Sequence, residues 1–194
     1  MKKTIILFIA IGLGAIAHAQ KSKQDEGVKI GIKGGLNIAN VYGDVKDNAI
    51  RTSVVLGLFG EFIMTDKFSI QPELLYSGQG YSNQTPDEFS RVKLDYLLLP
   101  IMAKLYLHQN DLSLEFGPQV GFLVSGKNKT NEANETIENI SKVDFGVNVG
   151  LGYELKSNVY FQGRYNLGLT DTGIAGDNKR ASNSVIQLSV GYLF

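Results

Sequence analysis

The chain contains no cysteine and no tryptophan, and only two of its residues are histidine. Without cysteine it has no disulfide framework, no thiolate metal site and no thiol nucleophile. His18 falls in the first twenty residues, which leaves His108, and one imidazole alone cannot make a zinc site. Neither charge sign dominates: 19 basic residues stand against 19 acidic ones, so the basic field that nucleic acid requires is missing. Long apolar runs are missing too. The stretch Ile5 to Ala17 holds about 13 residues, whereas a helix needs about 20 to cross ~30 Å of hydrocarbon.

Motifs for chemistry are equally scarce. A serine hydrolase would have to bring His108 to a serine and an acid, for instance Ser113 and Asp111, but no G-x-S-x-G elbow is present. The glycine-rich stretches Gly31 to Gly35 and Gly146 to Gly152 open no helix, so they lack the geometry that cradles phosphate and are expected to line a crowded interior. Asp171, Asp177 and Asn178 share one polar segment, yet no spacing there enforces a calcium loop. No catalytic, cofactor-binding or metal-ligating residue is therefore assigned, and the expectation is a protein that is not an enzyme.

What is present begins with an export signal. Met1, Lys2 and Lys3 precede the apolar stretch, and Ala17-His18-Ala19 supplies small residues at −3 and −1 of a cut after Ala19. Residues 1–19 are thus expected to be a cleaved signal peptide. Their removal leaves 17 basic and 19 acidic residues. Residues 20–27 are polar and read as a flexible arm, followed by one domain over 28–194.

From Val28 onward the pattern is alternation with a period of two, the signature of strands with two different faces. Val28, Ile30, Ile32, Leu36 and Ile38 interleave with Lys29, Gly31, Lys33, Gly35 and Asn37. The segments 112–124, 143–155, 159–169 and 185–194 repeat this cleanly. Three more strands, over 53–64, 68–81 and 92–107, are noisier. Leu97, Leu98 and Leu99 run together, and Pro72, Pro100 and Pro118 sit where a proline implies an edge or a bulge. Short links at 65–67, 108–111 and 156–158 alternate with long polar ones at 40–52, 82–91, 125–142 and 170–183. That asymmetry is expected of an outer-membrane barrel with periplasmic turns and extracellular loops.

Alternation alone does not decide which face points inward. A soluble lipocalin-like barrel, which binds a ligand inside, hides its apolar set, whereas a membrane barrel turns it toward lipid. Here the polar set is rich in glycine and carries charges of both signs, which suits the interior of a narrow barrel. Lys33, Glu61, Glu73, Glu115 and Arg164 are expected to form a structural charge network in the lumen, because an unpaired buried charge is very costly. Tyr76, Tyr81, Tyr106, Tyr153, Tyr192 and Phe194 are candidates for aromatic girdles at the two membrane surfaces.

Ser69 to Ser77 (SIQPELLYS), Tyr96 to Lys104 (YLLLPIMAK) and Phe116 to Leu123 (FGPQVGFL), in that order and spacing, resemble the outer-membrane β-barrel domain family common in Bacteroidota, which includes PorT-like proteins. The stretches 31–40 and 190–194 fit as well. The resemblance implies an eight-stranded barrel of the OmpX/OmpA kind in the outer membrane of a Gram-negative bacterium, with no catalytic motif to carry over. PorT itself is linked to protein secretion.

The fold expected is therefore all-β: an eight-stranded antiparallel up-and-down transmembrane β-barrel. Its partners are outer-membrane lipid and a protein bound at the extracellular loops. Nucleic acid and cofactors are not expected, and the barrel is read as a monomer. Its role is structural or interactive, in adhesion or secretion, with a small-solute transport barrel as the alternative.

Overall fold

The computed structural model describes residues 27–44, 48–84, 89–108, 111–130, 134–137, 140–175 and 180–194. The expected signal peptide and the polar arm up to residue 26 lie outside the described residues. Among the described residues ten strands follow one another: β1 (Val28–Gly43), β2 (Asn48–Ala49), β3 (Arg51–Thr65), β4 (Phe68–Gln84), β5 (Phe89–His108), β6 (Leu112–Lys129), β7 (Asn134–Thr136), β8 (Val143–Glu154), β9 (Val159–Gly168) and β10 (Ala181–Leu193). Eight of them form a ring in which each long strand pairs antiparallel with the next and β10 returns to β1. The sheet is thus a closed eight-stranded antiparallel barrel, and closure removes the unpaired edges that would be intolerable in lipid. The last residue is held as well, with the Phe194 amide donating to the Ile30 carbonyl at 2.8 Å.

The short and long connections alternate as the sequence suggests. In the turn over 155–158, Asn158 takes a positive φ of 63°, a conformation asparagine tolerates, and its amide closes on the Leu155 carbonyl at 3.0 Å. On the other end, strand structure runs further than the alternation indicates. Residues 82–84 and 89–91 continue the β4–β5 ladder, with Asn83 opposite Ser90 and Gln84 opposite Phe89. β6 runs on to Lys129 and gains β7 as a neighbour, so much of 125–142 is sheet rather than loop. The reason is physical: a ladder needs only backbone partners, and beyond the membrane neither face must be apolar, so the period of two disappears while pairing continues. His108, expected in a turn, is the last residue of β5, opposite Leu112.

Exposure settles the orientation of the two faces. Val147, Val149 and Leu188 are 42%, 51% and 53% exposed, while Gln187 and Glu115 are fully buried. Apolar side chains project outward all around the ring, among them Ile32, Leu58, Leu99, Phe122, Leu151, Phe161 and Val190. A soluble protein rarely presents so continuous an apolar surface, and a barrel surrounded by lipid must. The inverted, lipocalin-like arrangement is thereby excluded.

Two of the expected girdle residues belong elsewhere. Tyr106 points into the lumen, where its hydroxyl donates to Glu61, and Tyr81 packs on an internal apolar cluster. Both lie on the inward parity of strands whose faces are hard to read. Tyr76, Tyr153, Tyr192 and Phe194 do face outward, and the Tyr192 and Phe194 rings meet edge to face with centroids 5.5 Å apart. The prolines occupy no edge. Instead the β4–β5 ladder breaks between Pro72 and Leu75 and the β5–β6 ladder between Pro100 and Ala103, consistent with the missing amide donors.

Candidate functional site

The lumen is where this sequence concentrates its buried polar side chains. Every inward position on β1 alternates with a lipid-facing one, which aims Lys33 at the axis. The same parity aims Glu61 from β3, Glu73 from β4, Glu115 from β6 and Arg164 from β9. Arg164 grips Glu73 with two parallel hydrogen bonds of 2.8 and 2.9 Å, the bidentate geometry that suits a guanidinium, and reaches Glu115 at 3.3 Å. Lys33 donates at 2.9 Å to Oε2 of the same Glu73 carboxylate, an oxygen that also accepts from Arg164, and to Gln162 at 2.9 Å.

Glu61 stands apart from that group. Its partner is Lys104 of β5, at 3.0 Å, and it also accepts from Ser69 at 2.7 Å and from the Tyr106 hydroxyl. Lys104 was not among the residues expected here. Its position two residues before Tyr106 carries the signal, but the Leu97 to Pro100 run masks which parity of β5 points inward. Gln71 joins the two groups, accepting from Lys104 at 3.2 Å and donating to Glu73 at 2.7 Å. Tyr160 donates to Glu115 and lies under the Lys104 ammonium, 4.6 Å from the ring centroid. Three cations, Lys33, Lys104 and Arg164, thus meet three anions, Glu61, Glu73 and Glu115, in one continuous buried network.

Glycine makes room for it. Lys33 has Gly57 and Gly191 as cross-strand neighbours, and Gly150 lies between Glu115 and Arg164. A Cβ on Gly150 would sit 3.1 Å from the Arg164 Cα and 2.6 Å from the Gly163 carbonyl, so no larger residue fits. The interior expected for the glycines holds for Gly31, Gly35, Gly146, Gly150 and Gly152, but Gly34 faces outward. There it helps form a shallow apolar groove of about 560 Å³ in the lipid-facing wall, with Leu36, Phe161, Gly163 and Leu188.

Toward the long-loop end the interior changes character. Val55, Leu75, Val92, Leu94, Tyr96 and Leu98 all point inward and are buried, and Ile140 closes over them from the connection after β7. Ile137 and Ile174, from two different connections, pack on the same cluster. This apolar plug was hidden in the sequence because Val54 to Leu56, Leu74 to Tyr76 and Leu97 to Leu99 place apolar residues on both faces at once. At the turn end the mouth is polar, a recess of about 350 Å³ lined by Asp66, Tyr106, Asp111 and Lys156 beside the Lys29–Glu154 ion pair of 2.8 Å.

Of the residues considered for hydrolysis, Ser113 turns into the lumen, where its hydroxyl stands within hydrogen-bond reach of Glu115 at 3.3 Å and of the Gly152 carbonyl at 3.4 Å. Asp171, considered for calcium, is occupied by its own loop: its carboxylate accepts from the amides of Ala181 at 3.0 Å and Gly173 at 3.1 Å. Those two amides hold the exposed carboxyl below the ordinary aspartate value. The contribution to loop order is therefore in place above the usual aspartate range and disappears as acid protonates the group through its lowered pKa. The protection of the Ala181 amide, its exchange rate relative to an unstructured amide at the same pH, should fall on acidification, and Asp171→Ala should show the low protection already at neutral pH.

Comparison with known proteins agrees with this architecture. The outer membrane protein beta-barrel domain family matches residues 18–173. Among solved structures, the attachment invasion locus protein Ail of Yersinia pestis is similar over 87% of this chain and 99% of its own, at 15% identity and a TM-score of 0.54. Neisserial surface protein A is similar over 87% and 99%, at 10% identity and a TM-score of 0.56. A major outer membrane protein of Thermus thermophilus is similar over 86% and 99%, at 13% identity and a TM-score of 0.50. At such identities these three speak for the fold. No curated protein sequence matches the chain. The family match covers most of the residues that build the ring, and this chain belongs to the outer membrane protein beta-barrel domain family.

Proposed function

We propose that this chain is a sealed, monomeric, non-enzymatic anchor of the outer membrane, exported by a cleaved signal peptide over residues 1–19, whose long-loop end is extracellular and contacts a protein partner in adhesion or secretion. The observation that carries the reading is the double closure of the lumen. The neutral network of Lys33, Lys104, Arg164, Glu61, Glu73 and Glu115 fills the middle. The apolar plug around Leu94, Tyr96, Leu98 and Ile140 fills the loop end.

An ion entering from the turn end meets paired charges whose separation would expose each partner unsatisfied, and then an apolar barrier that offers no ligands. An eight-stranded barrel has little interior beyond what its own side chains occupy. The wall is a closed hydrogen-bonded ring, and the surface left for recognition is the loop end.

The test is conductance of the refolded full chain in planar bilayers. No unitary currents are expected at either polarity. Stable single-channel steps would overturn the sealed reading and replace it with small-solute transport.

A further inference from the structure

Between the charge network and the apolar plug lies a layer of the lumen whose oxygens lack donors. Asp144, Asn148, Asn166, Asn183, Gln187 and Asn37 all point inward, and each is at most 4% exposed. On every one of them a side-chain oxygen is buried without a hydrogen-bond donor among the described residues. Such an atom carries the cost of its lost hydration. Turning the amides over gives no relief. The nitrogens of Asn37, Asn148 and Asn183 donate to the Gly78 carbonyl at 2.9 Å, the Gly117 carbonyl at 3.4 Å and the Asp144 carboxylate at 2.9 Å, so a flip would set oxygen against oxygen. The six form one patch. Asn148 lies opposite Asn166, Gln187 lies opposite Asn37, and Asn183 and Gln187 flank Val185, the residue opposite Asn166. Cross-strand side chains stand about 5 Å apart and diagonal ones about 7 Å. The patch starts at Gln187, opposite Arg164 of the network, and ends at Asp144, opposite Gly121, on which Leu98 and Tyr96 of the plug pack. Its one formal charge is unbalanced. Lys33, Lys104 and Arg164 are engaged by Glu61, Glu73 and Glu115, whereas the hydrogen bond that Asp144 accepts comes from the neutral Asn183.

We infer that this layer is a binding site for one alkali-metal cation. The Asp144 carboxylate and the Asn183 amide oxygen hold the ion directly, and the four remaining amide oxygens order the water that completes its shell. Three features point there. The unpaired atoms are oxygens, the ligands that hard cations take, and neutral amide oxygens replace an ion's hydration without adding charge. One carboxylate balances one positive charge, and since the three cations and three anions of the network already cancel, a divalent ion would leave the interior with an excess. Water alone would satisfy the amides but would leave the buried charge of Asp144 without a counter-ion. The inference goes beyond the anchor role yet rests on a lumen closed at both ends, which the bilayer conductance of the same refolded chain reports separately.

The experiment is calorimetric unfolding of the full chain, refolded in phosphocholine micelles in sodium, potassium, calcium or N-methylglucamine chloride at one ionic strength. The last cation is too large for the layer. Wild type should melt about 3–6 °C higher in sodium or potassium than in N-methylglucamine, the shift expected for an ion present at about ten times its dissociation constant. Asp144→Asn should melt at one temperature in sodium, potassium and N-methylglucamine, and in N-methylglucamine above the wild type, because the buried charge is gone. Asp66→Asn, in the exposed turn between β3 and β4, is the charge-matched control and should keep the full salt response. A wild type that melts alike in the alkali salts and in N-methylglucamine would overturn the site, and this comparison decides even where Asp144→Asn fails to fold. An undiminished gain in Asp144→Asn would overturn it too. Stronger stabilisation by calcium than by either alkali ion would overturn the single positive charge.

Discussion

Replacing Glu73 by glutamine should destabilise the barrel by about 3–5 kcal/mol, the cost of breaking a buried ion pair from one side. Glu73 is the hub of the lumen. Both of its oxygens are engaged by Arg164, one also by Lys33 and the other by Gln71. Glutamine keeps the shape but withdraws the negative charge, leaving two cations against Glu115 in a region from which water is largely excluded. Lys33 and Arg164 are themselves almost fully buried, so neither cation has water to turn to where it stands. Urea unfolding of the refolded chain in lipid vesicles measures the effect.

A second substitution separates charge balance from packing. Lys33→Met removes the excess cation while keeping the stem, so the pair Glu73→Gln with Lys33→Met should be less destabilised than the sum of the single changes. Glu115→Gln should cost less than Glu73→Gln, since Arg164 keeps its bidentate partner. A loss under about 1 kcal/mol for Glu73→Gln would show that the network is solvated and that the lumen is not sealed.

The same residues show how far the sequence could be read. Apart from Val41, Val185 and Leu193, which are apolar and buried, β1, β6, β8, β9 and β10 follow one rule through the barrel wall, apolar outward and small or polar inward, because lipid and a narrow lumen impose opposite demands on alternate residues. Lys33, Glu61, Glu73, Glu115 and Arg164 could be placed together from that rule, as mid-strand charges of the polar set. β3, β4 and β5 carry the plug, so at their loop-side halves both faces are apolar and the period of two vanishes. Tyr96 and Leu98 inside, Leu97 and Leu99 outside, produce a run in which parity is unreadable, and with it went Lys104 and Tyr106. The continuation of β4, β5 and β6 beyond the membrane was hidden for the opposite reason, since both faces there are polar. Where one environment acts on both faces, alternation carries no information, and only the backbone ladder reveals the strand.

Val147→Arg should cost about 2–4 kcal/mol in a bilayer, the penalty for a cation on the lipid face near mid-membrane. Val147 projects outward from the middle of β8, between Pro118 and Leu167 on the neighbouring strands, with no acidic neighbour on that row. Its side chain is exposed on the barrel's outer face, so the loss reports the surroundings more than packing, and Val147→Leu should stay within about 0.5 kcal/mol. The informative comparison is depth. Tyr153 faces outward on the same strand, close to the turn end, where an arginine can reach headgroups and water. Tyr153→Arg should therefore cost only about 0–1 kcal/mol beyond the lost aromatic contact. Equilibrium unfolding of the three variants in one lipid gives a depth profile along β8. A flat profile with Val147→Arg near zero would mean that this wall faces water, whereas a steep one fixes the height of the bilayer on the barrel.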